Sequence, residues 1–79
     1  MRLDKYLKVS RIIKRRTVAN EACDSGHVKV NGKIARASAE IKIGDIIEVS
    51  FGEKTNSFQV LDINEYANKE NAGLMFKQI

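Results

Sequence analysis

Seventy-nine residues make one domain and leave no room for a separate catalytic one. A hydrophobic content of 43% beside 30% charged residues fits a globular protein, and a single cysteine excludes an internal disulfide and any Cys/His zinc pattern. The net charge of +4 conceals a division: residues 1–36 carry ten Lys or Arg against three acids, whereas residues 37–79 carry four against seven.

A basic half joined to an acidic half in a small domain makes a polar field with one adhesive end, whose natural partner is a polyanion, most often nucleic acid. The longest apolar runs fall far short of the roughly 18 residues that a membrane span needs, and no basic-then-apolar leader opens the chain. A soluble cytoplasmic protein is therefore expected, with no membrane partner, no metal and no cofactor.

Leu3, Tyr6, Leu7 and Ser10 recur at i, i+3, i+4 and i+7, which predicts a first helix. Asp4 in its first turn suits the positive helix end and is placed to pair with Lys8. Ile12 and Ile13 return the chain to the core, while Arg11, Lys14, Arg15 and Arg16 point to solvent. A second helix follows, with Val18, Ala19, Ala22 and Cys23 on its apolar face and Asn20, Glu21 and Asp24 on the other. Cys23 reads as a small core residue rather than a reactive thiol. Gly26 supplies the left-handed residue that ends the helix. Its start lacks the usual oxygen: Lys14, Arg15 and Arg16 precede Thr17, and the capping box is incomplete even if Thr17 is the cap.

Asn31-Gly32, flanked by His27–Val30 and Lys33–Ala35, is a strong hairpin signal. Ile41, Ile43, Ile46, Ile47, Val49 and Phe51 surround a second turn at Gly44-Asp45, and Gly52–Thr55 is a third. Phe58, Val60 and Ile63 alternate as a further strand. Residues 64–73 are polar with weak helical character, and Leu74, Met75, Phe76 and Ile79 form an apolar tail expected to pack on the sheet or on a neighbour. The fold class is α+β: two short N-terminal helices packed on a small antiparallel sheet.

Catalysis finds little support. His27 has no serine or cysteine nucleophile placed to use it, the glycines are scattered rather than gathered into a phosphate loop, and Asp45 and Glu48 read as a turn residue and a solvent-facing strand residue. No enzyme is expected. The second helix's start is more informative. Arg15 and Arg16 there oppose the helix dipole by about 0.3–1 kcal/mol each. A phosphate bridging the bare N–H groups and the two guanidinium groups would reverse that cost. The competing reading pairs one arginine with Asp4 or Glu21 and leaves the other solvated. The aromatics Tyr6, Phe51, Phe58, Tyr66 and Phe76 are dispersed and read as core, not as a base-stacking platform, so structured RNA is favoured. A DNA-binding helix-turn-helix is the alternative, weakened by Glu21 and Asp24, whose acids would repel a DNA groove.

Met1-Arg2-Leu3-Asp4-Lys5-Tyr6-Leu7, Arg16-Thr17-Val18-Ala19, Gly26-His27-Val28-Lys29-Val30-Asn31-Gly32, Ser38 and Gly44-Asp45-Ile46-Ile47-Glu48-Val49 together resemble the RNA-binding domain named after small-subunit ribosomal protein S4. The resemblance covers about residues 1–50 and implies two helices on a small sheet, binding structured RNA through the basic helix-loop-helix face and the hairpin. It implies a domain over residues 1–63 with a C-terminal extension over 64–79. Many members are fused to pseudouridine synthase or synthetase domains, activities not expected here. Standalone members opening with Arg-Leu-Asp-Lys fall into two groups. One is the fifteen-kilodalton heat-shock proteins, which recycle large subunits blocked by a nascent chain. The other is a ribosome quality-control group that supports alanine tailing, which this chain resembles more closely.

The partners implied are ribosomal RNA and peptidyl-tRNA on the large ribosomal subunit and a quality-control elongation factor. The RNA-binding residues implied are Arg2, Asp4, Lys14, Arg15, Arg16 and Lys29, with Asp4 orienting an arginine. Many members place Ser or Thr where Arg15 stands, so this chain departs from the family at the helix cap.

Overall fold

The computed structural model describes residues 1–66, 68 and 70–79. Two helices, α1 (Leu3–Val9) and α2 (Arg16–Asp24), are followed by strands β1 (Val28–Val30), β2 (Lys33–Ile34), β3 (Ile46–Phe51), β4 (Lys54–Val60) and β5 (Phe76–Gln78), with a 3-10 turn at Ala72–Leu74. The strands form one sheet in the order β2-β1-β3-β4-β5, and each neighbouring pair is antiparallel.

The helices cover one sheet face because their apolar residues recur at helical spacing. Leu3, Tyr6 and Leu7 from α1, with Ala19, Ala22 and Cys23 from α2, pack on Val28, Ile47, Val49, Phe58 and Val60 of the sheet. Burial raises the Cys23 thiol to about 11, helped by the charges of Asp4 and Asp24, so Cys23 is a core thiol and not a nucleophile. Gly26, at φ 82°, ends α2, and its N–H donates to Cys23 O at 3.0 Å. Asn31 at φ 53° and Gly32 at φ 84° make the two-residue turn joining β1 to β2. The Asn31 side chain also reaches β3, donating to Asp45 Oδ1 at 3.1 Å and accepting from Ile46 N–H at 3.0 Å.

The apolar tail packs on the sheet, with β5 paired to the edge of β4. The buried Tyr6 hydroxyl donates to Met75 O at 2.6 Å, tying α1 to the segment that enters β5. Burial, and then the charge of Asp62, raise the Tyr6 phenol above its ordinary value, so it remains a donor. Phe58 and Phe76 meet edge to face across β4 and β5, with centroids 5.2 Å apart.

Several expectations are corrected. Val18 is 40% exposed, because α2 begins at Arg16 and buries only the narrow stripe of Ala19, Ala22 and Cys23. Thr17 is not the cap; Arg15 holds that position at φ −114°, ψ 128°. Phe51 and Tyr66 are exposed rather than core, Phe51 because it closes β3 where that strand runs into the β3–β4 turn. Ile43 is also exposed, and Ile63 lies beyond the end of β4. The helical character expected over 64–73 is limited to the 3-10 turn among the described residues; Ala67 and Lys69 fall outside them.

Candidate nucleic-acid interface

Asp4 organises the site. It stands in the first turn of α1 and is only 2% exposed, although it is a carboxylate. Such a group is stable only when paired and hydrogen-bonded. Its Oδ1 accepts from its neighbour's N–H, that of Lys5, at 2.8 Å and from Arg2 Nε at 3.2 Å. Its Oδ2 accepts from Arg2 Nη2 and Arg16 Nε, both at 3.4 Å, and from Asn20 Nδ2 at 3.3 Å. Burial pushes its pKa up, but the Asn20 and Lys5 hydrogen bonds and the Arg16 charge outweigh that, holding it below the ordinary value of 3.8. The expected Asp4–Lys8 pair is not among the ion pairs of the described residues, since the carboxylate turns inward to the arginines.

Two arginines distant in sequence, Arg2 before α1 and Arg16 at the start of α2, are thereby held by one carboxylate. Each side chain remains 49% exposed, so the pairs add little to stability, about 0.2–1 kcal/mol each. Their larger consequence is orientation: Arg16 engages Asp4 through Nε, leaving its terminal nitrogens as donors. Arg2, Asp4, Arg16, Thr17, Asn20 and Glu21 line an open cleft of about 430 Å³.

The start of α2 adds a second anion-binding feature. Its first turn holds no acid and Arg15 makes no side-chain cap. The N–H groups of Arg16, Thr17 and Val18 find no protein acceptor among the described residues; the helical ladder begins with Ala19 N–H to Arg15 O at 3.0 Å. Arg11, Lys14 and Arg15 are exposed on the connection between the helices and make no ion pair among the described residues. Arg2, Asp4 and Arg16 are thus brought together, and Lys14 and Arg15 flank them along the chain. Lys29 is apart: in β1 Val28 faces the core, so Lys29 points to the sheet face away from the helices, opposite Glu48 of β3.

Arg11 and Asn20 were not singled out from sequence. Arg11 sits at φ 63°, a left-handed conformation usual for glycine, and completes the end of α1 by donating its N–H to Lys8 O at 3.1 Å. An arginine there costs about 1–2 kcal/mol. Arg11→Gly is expected to raise stability by roughly 0.5–1 kcal/mol once glycine's larger unfolded-state entropy is subtracted. An unchanged or lowered midpoint in urea would count against strain at this residue.

A profile of the S4 domain matches residues 1–47. The chain belongs to the S4 domain family. Over its whole length it is 52% identical to the "RQC P-site tRNA stabilizing factor" of Streptococcus pneumoniae, covering 90% of that protein. It is 49% identical over 76 residues to the protein of the same name from Bacillus subtilis, covering 96% of this chain and 88% of that one. Among solved structures, the trimeric Heat Shock Protein 15 of Vibrio cholerae superposes with a TM-score of 0.91 at 26% identity, over all of this chain and 81% of that one. These likenesses agree with the two helices and antiparallel sheet found here. Among the described residues no helix is long and apolar enough to cross a membrane, and no group of His, Cys, Asp or Glu is arranged to hold a metal ion.

Proposed function

We propose that the chain is a non-enzymatic, cytoplasmic RNA-binding factor of ribosome quality control. It docks on ribosomal RNA and peptidyl-tRNA of the large subunit and supports alanine tailing of stalled nascent chains beside a quality-control elongation factor. The observation that carries this reading is the buried Asp4 carboxylate holding Arg2 and Arg16 at an open cleft, next to a helix start with no cap. In that arrangement Arg2, Arg15 and Arg16 hold phosphates, and the bare α2 N–H groups donate to one phosphate oxygen. Asp4 positions the arginines without touching RNA. Lys14 and, from the other sheet face, Lys29 are outer contacts. The names of the Streptococcus pneumoniae and Bacillus subtilis relatives support P-site tRNA as the ligand.

Arg16→Ala tests the site. With the fold retained, losing one phosphate contact is expected to reduce the slope of log affinity against log salt by roughly 0.7–0.9. An unchanged affinity and slope would remove Arg16 from the interface. The wider reading predicts co-sedimentation with large ribosomal subunits at low salt, and its absence there would sink it.

A further inference from the structure

Phosphate binding leaves part of the cleft unexplained. On α2, Arg16 and Asn20 lie one turn apart, and Thr17 and Glu21 form the next row round the helix; all four line the cleft. Glu21 is exposed and makes no ion pair among the described residues, so it does not pair with the arginines; Asp4 does, offsetting one of their two charges. A free carboxylate beside a phosphate site repels the phosphate. Its presence there calls for a different ligand group.

Asn20 points the same way. The ionised Asp4 only accepts hydrogen bonds, so the Asn20 NH2 group must face it, at 3.3 Å. The Asn20 carbonyl oxygen is left with no protein donor among the described residues, and no buried side-chain oxygen or nitrogen among them lacks a partner, so this oxygen is open to the cleft's solvent. The residues that line the cleft therefore combine guanidinium donors with three side chains that carry acceptor oxygens, the Thr17 hydroxyl, the Asn20 carbonyl and the Glu21 carboxylate. A DNA backbone offers nothing to such acceptors. An RNA backbone offers a 2′-hydroxyl donor at every nucleotide, next to the phosphate.

We propose that Asn20, Thr17 and Glu21 form the specificity element of this interface, accepting hydrogen bonds from ribose 2′-hydroxyls beside the phosphates held by Arg2 and Arg16, so that the cleft selects RNA over DNA. This rests on the RNA-binding reading above. The carboxylate trades general attraction for polyanions against selectivity: it weakens every polyanion, but RNA recovers the loss through a hydrogen bond that DNA cannot make.

The experiment compares binding of unfractionated tRNA with that of a DNA oligonucleotide copying one tRNA sequence, for the unaltered protein and for Glu21→Ala and Glu21→Gln. Removing the charge alone would tighten both ligands by a similar factor. A selective acceptor predicts otherwise: Glu21→Ala binds DNA more tightly and tRNA no better, so the preference for RNA falls about three- to tenfold. Glu21→Gln, which keeps a carbonyl acceptor, retains part of the preference. Equal tightening of both ligands by Glu21→Ala would overturn the specificity element while leaving the arginine site intact. Absence of salt-dependent tRNA binding by the unaltered protein would overturn the RNA reading itself.

Discussion

Val28→Asp is expected to leave no folded protein at 25 °C: a coil-like far-UV spectrum and no cooperative melt. Val28 is 0% exposed, sits in β1 between β2 and β3, and lies opposite Val49 in register. Replacing it removes about 1.5–3 kcal/mol of apolar burial. The carboxylate cannot stay charged in the core, and taking up a proton at pH 7 costs about 4 kcal/mol from an ordinary value near 3.9. The buried carboxyl, still without a partner, costs about 1–3 kcal/mol more. A domain of this size has only about 4–12 kcal/mol in hand at 0.05–0.15 kcal/mol per residue. The control is Lys29→Gln, one residue on and on the opposite sheet face, which should melt within a few degrees of the parent. A cooperative transition for Val28→Asp near the parent's midpoint would mean that the β1 register is wrong.

That control depends on the alternation of β1, one of the features legible in the sequence. Asn31-Gly32 predicted the hairpin because its backbone requires positive φ at both positions, and Asn31 and Gly32 have it. Leu3, Tyr6 and Leu7 predicted α1 because one helical stripe faces the core. Gly26 predicted the end of α2 for the same local reason. What was not legible is tertiary. Arg11 gives no sign of its left-handed backbone, since glycine is the residue that signals it. Val18 fits an apolar face by spacing, yet small residues suffice to pack α2, and the stripe stops at Ala19. Asn20 was assigned to solvent, and its bond to Asp4 exists only because α1 and α2 pack side by side. The arginines divide likewise. Their number predicted a polyanion partner, but that Arg2 and Arg16 share one carboxylate follows from the helix pairing, not from any spacing along the chain.

That shared carboxylate makes Asp4→Asn the other substitution with a large expected effect. Asparagine keeps the shape but turns an acceptor that holds three side chains into an amide with one acceptor oxygen and two donors. The donors would face Arg2, Arg16 and Asn20, which are donors themselves. With the arginine side chains half exposed, water compensates in part, and a loss of about 1–2 kcal/mol is expected, which is about 4–16 °C in Tm. RNA affinity should fall further than for Arg16→Ala, because both arginines lose their fixed orientation while net charge rises by one. Simple electrostatics predicts the reverse, tighter binding by a more basic protein, so the sign of the change decides between orientation and charge. The pH dependence gives a second check. The pKa of Asp4 is depressed in the folded state, so its contribution is fully present above the ordinary value of 3.8 and is lost as pH falls through the lower, folded value. The Tm difference between parent and Asp4→Asn should hold constant from pH 7 to 5 and narrow below about pH 4. A difference that stayed constant throughout that acid range would show that the ionised carboxylate is not what holds Arg2 and Arg16.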